Sequence, residues 1–275
     1  MTNNINYQCE DGIATLTFNN PSQKNALTPP MFKEMKQLLL DIAMDPECRV
    51  LIVTGEGDTF CSGANMRQFG KGVPDDLIAA KWEEHPVWND PELRAQRIRR
   101  NGELTTTIHT MGKPTIAMIR GAATSAGMSI ALACDFRFAC INARFKTAFS
   151  QIGASGDLGI CYYLTKIVGP THARELMFLS DTLHAEDAKT IGLVSRVSAE
   201  DALLGDTLDF ARRLAAGPAI AYRLIKQNFC IAEAALTREY LDIEAQNMAR
   251  TFGTQDMKEA VAAFLEKRPA SFRGW

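Results

Sequence analysis

The sequence predicts an α/β fold over residues 1–200, followed by a helical region over 201–275. Three observations carry this. Short, almost wholly apolar runs such as Val50–Thr54 and Thr115–Ile119 read as strands buried on both faces. Segments with the helical period fall between them. Beyond residue 201 strand patterns stop and helical spacing dominates.

Taken in order, Ile13–Asn19 alternates with period two and predicts a strand ending in the turn Asn19–Ser22. Thr28 and Pro29 read as an N-cap and a first-turn proline. Phe32, Met35, Leu39 and Ile42 then fall on one helical face. Leu104, Ile108 and Met111 predict a second helix ahead of the strand Thr115–Ile119. That strand feeds the small-residue stretch Gly121–Gly127, an apolar helix through Cys134, and a strand over Phe136–Cys140. Strand–loop–helix units follow over 144–167 and 173–197. In the last region Tyr222, Ile225 and Phe229 share one face, and Leu241, Ala245, Met248 and Phe252 another. Asp256 and Glu259 have capping-box spacing before Met257, Val261 and Phe264.

Composition excludes several function classes. The 275 residues carry 30 basic and 32 acidic side chains, a formal charge of -2, without the basic excess of a general nucleic-acid binder. No apolar run reaches the roughly 18 residues of a membrane span. The N-terminus lacks the basic and apolar regions of a secretory signal. Seven cysteines, an odd number with no CxxC pair, argue against a disulfide framework and fit a reducing cytoplasm. The four histidines form no HExxH or HxxxH pair, so no metal site is expected.

Two small-residue segments stand out, Phe60–Met66 and Gly121–Ser129. Small side chains let a ligand approach the main chain, and a helix start leaves N–H groups free. Two such donors from separate loops could form an oxyanion hole. Composition alone favours simple close packing of helix on strand.

The order of the motifs goes further. Asn19-Asn-Pro21, Asn25-Ala-Leu27, Phe60-Cys-Ser-Gly-Ala64, Pro114-Thr-Ile-Ala, Gly121, Gly127, Ala133-Cys-Asp135, Ala143-Arg-Phe145, Gly192-Leu-Val194 and Phe264-Leu-Glu-Lys-Arg268 follow one another along the chain. In this order they resemble the enoyl-CoA hydratase/isomerase (crotonase) superfamily over essentially the whole length. The resemblance implies a ClpP-like superhelix of ββα units over 1–200 as catalytic core. It implies that 201–275 assemble the chain into a homotrimer or a hexamer of paired trimers. It implies an acyl-coenzyme A thioester as substrate, with no cofactor besides the coenzyme A it carries.

By motif position, the resemblance assigns the oxyanion-hole N–H groups to Ala64 and Ala126. The two glutamates of efficient hydratases fall on Ser129 and Phe149. Two-glutamate hydration is therefore not expected, and Phe149 makes the site drier. One acid is left nearby, Asp157, in the Gly-rich loop Ile152–Gly159. By itself it reads as an N-cap for the following helix. Within the family, dienoyl-CoA isomerases and the phenylacetate-pathway isomerases place a catalytic aspartate here, and the latter are the nearest resemblance. A lone carboxylate can move one proton between the α- and γ-carbons of an enoyl thioester while the hole holds the enolate.

Other readings share this site. One is a hydratase or acyl-CoA hydrolase with a non-standard base. Another is a dehalogenase with Asp157 as nucleophile, although that group's histidine and tryptophan fall on Gly102 and Phe149. A third is a catalytically silent CoA-binding paralogue. The resemblance also places Asn25, Ala26 and Leu27 along the CoA path and Phe264 and Lys267 at a neighbouring subunit's CoA. Core packing and surface exposure account equally well for the last two. Trp82, His85 and Trp88 fall where the family's substrate loop varies. The run Arg97, Arg99, Arg100 reads as a solvated helix face, and His109 as structural.

Overall fold

The structure is a computed structural model that describes residues 4–65, 90–233 and 254–275. Trp82, His85, Trp88 and the face Leu241–Phe252 lie outside the described residues.

A six-stranded sheet forms the centre, in the order β1-β2-β3-β4-β6-β9. Its strands are β1 (Ile5–Glu10), β2 (Ile13–Phe18), β3 (Val50–Gly55), β4 (Thr115–Ile119), β6 (Phe136–Cys140) and β9 (Arg196–Ser198). All pairs are parallel except β1 with β2. A smaller sheet contains β5 (Ala122–Thr124), β7 (Arg144–Lys146) and β8 (Leu183–His184).

Period two decides which core each strand residue enters. Leu51, Val53, Ala117 and Ile119 point to the main core. There they meet Phe32, Met35, Leu39 and Ile42 of α1 (Pro29–Met44), and Leu104 and Ile108 of α2 (Pro91–Thr110). Val50, Ile52, Ile116 and Met118 point the other way, onto Leu203, Ala211 and Ala215 of α6 (Leu203–Ala215). Both faces are covered, which is why β3 and β4 are buried at every position. The remaining helices are α3 (Ala126–Ala133), α4 (Ile160–Leu179), α5 (Ala185–Thr190), α7 (Ala219–Ala232) and α8 (Gln255–Glu266). A buried lysine docks α7 on the core. Lys226 Nζ donates to Asp135 Oδ2 at 2.8 Å and to the carbonyls of Ile108 and Lys113 at 3.0 and 3.1 Å.

Thr28 and Pro29 take the positions expected of them, and one local expectation is corrected. Thr28 stands at the N-cap of α1, but its hydroxyl is buried without a partner. Pro29 and Pro30 supply no N–H to the first turn. Asp256 and Glu259 form no capping box. Thr254 Oγ1 accepts the Met257 N–H, while the Asp256 carboxylate takes the N–H groups of Arg273 and Gly274 at 2.7 and 2.8 Å. Glu259 pairs with Arg268 instead. In the last region Ile225, Phe229 and Val261 are exposed, while Leu224, Lys226 and Ala263 are among the buried residues.

Candidate active site

The loops after β3 and β4 leave parallel neighbouring strands, so both emerge at the carboxyl edge of the sheet. The first is anchored by Phe60, fully buried and edge-on to Phe18 with ring centroids 5.5 Å apart. Asn25 ties it to the preceding loop. Its Nδ2 donates to the carbonyls of Glu56 and Thr59 at 2.9 and 2.6 Å, and its Oδ1 accepts the Asn20 N–H. Asn25 is wholly buried with φ 54°, a conformation Asn tolerates better than most residues. Its amide is therefore occupied in holding loops together. Ala26 and Leu27 are buried beside it.

Leu27 and Ala64 form an isolated parallel bridge. The Leu27 N–H donates to Gly63 O at 2.8 Å, and the Asn65 N–H to Leu27 O at 2.9 Å. In such a bridge the central residue's own N–H points away from its partner. The Ala64 N–H accordingly has no acceptor among the described residues. Cys61 pairs with Ala123 in the same way, which stitches this loop to the one after β4.

The second loop ends at Ser125, whose φ of 51° turns the chain into α3. Ala126 is the first residue of that helix, and the N–H groups of a first turn have no partner within the helix. Gly127 lets the helix start press against the other loop. A Cβ there would stand 2.4 Å from Cys61 O and 2.7 Å from Cys61 Cβ. Gly63 has φ 99°, and its Cβ would meet that of Ser125 at 3.0 Å. These two glycines bring the segments carrying Ala64 and Ala126 into contact.

Ser129 is fully buried, and its hydroxyl donates back to Ser125 O at 3.3 Å within its own helix. Phe149 is buried in the main core, and its carbonyl accepts the N–H groups of Ile152 and Ala154. Neither position offers a base.

Asp157 follows on the loop into α4. The N-cap of α4 is Gly159, with φ 74° and no side-chain cap, so Asp157 does not cap the helix. Its Oδ1 is buried without a hydrogen-bond partner, and burial raises the carboxyl pKa above its ordinary value. The turn around it is unusual. Gly156, Leu158 and Gly159 have φ of 110°, 51° and 74°. Leu158 carries a side chain where glycine is at home, at a cost of about 1–2 kcal/mol. Sequence reasoning missed Thr105, which supports this turn from α2. Thr105 lies in a run of three threonines, and only the fold selects which one faces inward.

The other expected residues belong to other elements. Phe264 lies in α8. Lys267 is exposed just beyond α8, and no hydrogen bond or ion pair joins it to the loops of Ala64 or Ala126 among the described residues. His109 Nε2 meets Glu233 Oε2 at 3.0 Å, and its ring packs edge-on to Tyr162 and Tyr163. Among the described residues no three His, Cys, Asp or Glu side chains gather as metal ligands, and no helix is long and apolar enough to cross a membrane.

Comparison with known proteins agrees with this arrangement. Residues 8–274 match the family model "Enoyl-CoA hydratase/isomerase". The chain is 32% identical to the crotonyl-CoA hydratase of Syntrophomonas wolfei, over 98% of this chain and 97% of that one. It is 30% identical to the 1,2-epoxyphenylacetyl-CoA isomerase of Escherichia coli, with 96% of each covered. The crystal structure of an enoyl-CoA hydratase from Polaromonas superposes with a TM-score of 0.86 at 31% identity, covering 98% of this chain and 99% of that one. The crotonase fold expected from the motifs is the fold observed, and the chain belongs to the enoyl-CoA hydratase/isomerase family.

Proposed function

We propose that this family member isomerises an enoyl-CoA thioester, with Asp157 as its single acid–base group. The observation that carries the reading is the Asp157 carboxyl, partly buried, with Oδ1 enclosed and unpartnered and the group unused as a helix cap. Ser129 and Phe149 support it, because no carboxylate stands at either position to activate water. The relatives' names include both a hydratase and an isomerase, so resemblance does not choose between them. The residues of the site favour the isomerase.

In this mechanism the thioester oxygen accepts the N–H groups of Ala64 and Ala126. The Asp157 carboxylate removes the α-proton of a 3-enoyl thioester. The electron pair passes into a dienolate whose charge rests on the thioester oxygen. The Asp157 carboxylic acid then returns the proton at the γ-carbon, giving the conjugated 2-enoyl product. Losing one oxyanion donor costs roughly 10²–10³ in rate. Asn25, Ala26 and Leu27 flank the route for the pantetheine arm, while Phe264 and Lys267 serve a neighbouring subunit's CoA in a homotrimer or hexamer.

The test is incubation of 3-hexenoyl-CoA with the enzyme in deuterated water. The conjugated thioester should form and the α-position should exchange. Asp157→Asn should lower the rate by roughly 10²–10⁴ with the fold intact. A variant that keeps the wild-type rate refutes the assignment. A wild-type protein that binds CoA thioesters without exchange supports the silent reading instead.

A further inference from the structure

We infer that Thr105 is a positioning residue, which holds the turn at Leu158 and thereby aims Asp157; this rests on the reading of Asp157 as the acid–base group. Thr105 is 1% exposed and lies on α2, more than fifty positions from the turn in sequence. Its Oγ1 stands 3.0 Å from Leu158 O and 3.0 Å from Gly102 O, so one hydroxyl hydrogen is shared between two carbonyls. The neighbouring Thr106 and Thr107 instead bond only to carbonyls of their own helix, those of Gly102 and Glu103. Thr105 alone of the three reaches another element.

The bond falls where the chain is least at ease. Leu158 has φ 51°, is 3% exposed, and directly follows Asp157. A positive φ at leucine persists only when surrounding structure enforces it. Three contacts do so. The Leu158 side chain is locked in the main core. The Asp157 carbonyl accepts the Ile160 N–H at 3.1 Å. Thr105 satisfies the Leu158 carbonyl, which has no other donor among the described residues and would otherwise favour a turn that exposes it to water. Tyr163 supports the clamp from α4, where its ring lies against Gly159. Releasing the carbonyl would let the turn relax, move the Asp157 carboxyl and admit water to it. A misplacement of about 1 Å is enough to lose a large factor in rate.

The test compares wild type with Thr105→Val, Thr105→Ser and Asp157→Asn in the same isomerisation assay. Valine keeps the shape and removes the donor. Its kcat should fall about tenfold or more with KM within about twofold. The acid limb of its kcat/KM profile should move to lower pH as Asp157 becomes hydrated. Serine should restore kcat to within about threefold of wild type. If Asp157→Asn is inactive but Thr105→Val matches wild type in kcat and pH profile, the Thr105 inference falls alone. Failure of serine to rescue has the same meaning. If Asp157→Asn keeps the wild-type rate, the reading of Asp157 falls and this inference with it. Should the valine variant unfold, Thr105→Ala reads the same two quantities.

Discussion

Asp157→Asn should make the protein more stable at neutral pH while removing its activity. In the folded chain burial raises the Asp157 pKa, and its Oδ1 has no hydrogen-bond partner. Between the unfolded pKa, about 3.9, and the raised folded value, the native state holds more protons than the unfolded state. Stability therefore falls as pH rises through that window. Asparagine carries no charge, so this contribution vanishes. An unsatisfied buried polar atom costs about 1–3 kcal/mol, and more when charged. The gain belongs near the low end of that range, because Asp157 is only partly buried and the asparagine amide still leaves a polar atom inside. For a chain of this size, 1 kcal/mol shifts Tm by about 2–4 °C. The assay is urea unfolding of both proteins at a series of pH values from about 3.5 to about 7, which begins below the unfolded pKa, with the urea dependence expected to be equal. The advantage of the variant should grow with pH. A variant less stable than wild type at the higher pH, or a difference independent of pH, would refute the account of a desolvated carboxylate. A stabilising change that abolishes activity is the expected signature of a residue kept for chemistry.

Other changes act on the framework. Gly127→Ala places a Cβ 2.4 Å from Cys61 O and 2.7 Å from Cys61 Cβ, forcing the two loops apart. It should lose about 1–3 kcal/mol in a urea melt and lower kcat more than stability alone explains. Lys226→Met strips Asp135 of its buried partner and leaves two carbonyls without their donor. Removing one member of a buried pair costs about 3–5 kcal/mol, visible as a fall in the unfolding midpoint. A midpoint equal to wild type would show that α7 is docked by other contacts.

Some elements were legible because periodicity suffices for them. The α1 face of Phe32, Met35, Leu39 and Ile42 is buried as its spacing predicts, and Val50–Gly55 is a strand buried throughout. β1 was not legible. Only Ile5 of its six residues is buried, so no alternation marks it, and pairing with β2 alone makes it a strand. The Asp256–Glu259 spacing misled because tertiary partners, the chain's last amides and Arg268, compete for the same carboxylates. Ile225, Phe229 and Val261 have helical spacing but lie exposed, since spacing names a shared face and not what covers it.

At the site, sequence by itself determined the ordered motifs, the small residues that permit close loop contact, the missing glutamates and the candidate acid. These are matters of residue identity along one chain. Tertiary structure decided the rest. It shows the Ala64 N–H facing away from its bridge, Asp157 declining to cap its helix, and one threonine among three reaching across to a strained turn. It also placed α6 on the second face of the sheet, where Leu203, Ala211 and Ala215 complete a core begun by β2, β3, β4 and β6. The physical reason is common to all of these. Which hydrogen bond a group makes, and which surface a side chain buries, depends on neighbours that are distant in sequence and meet only when the chain folds.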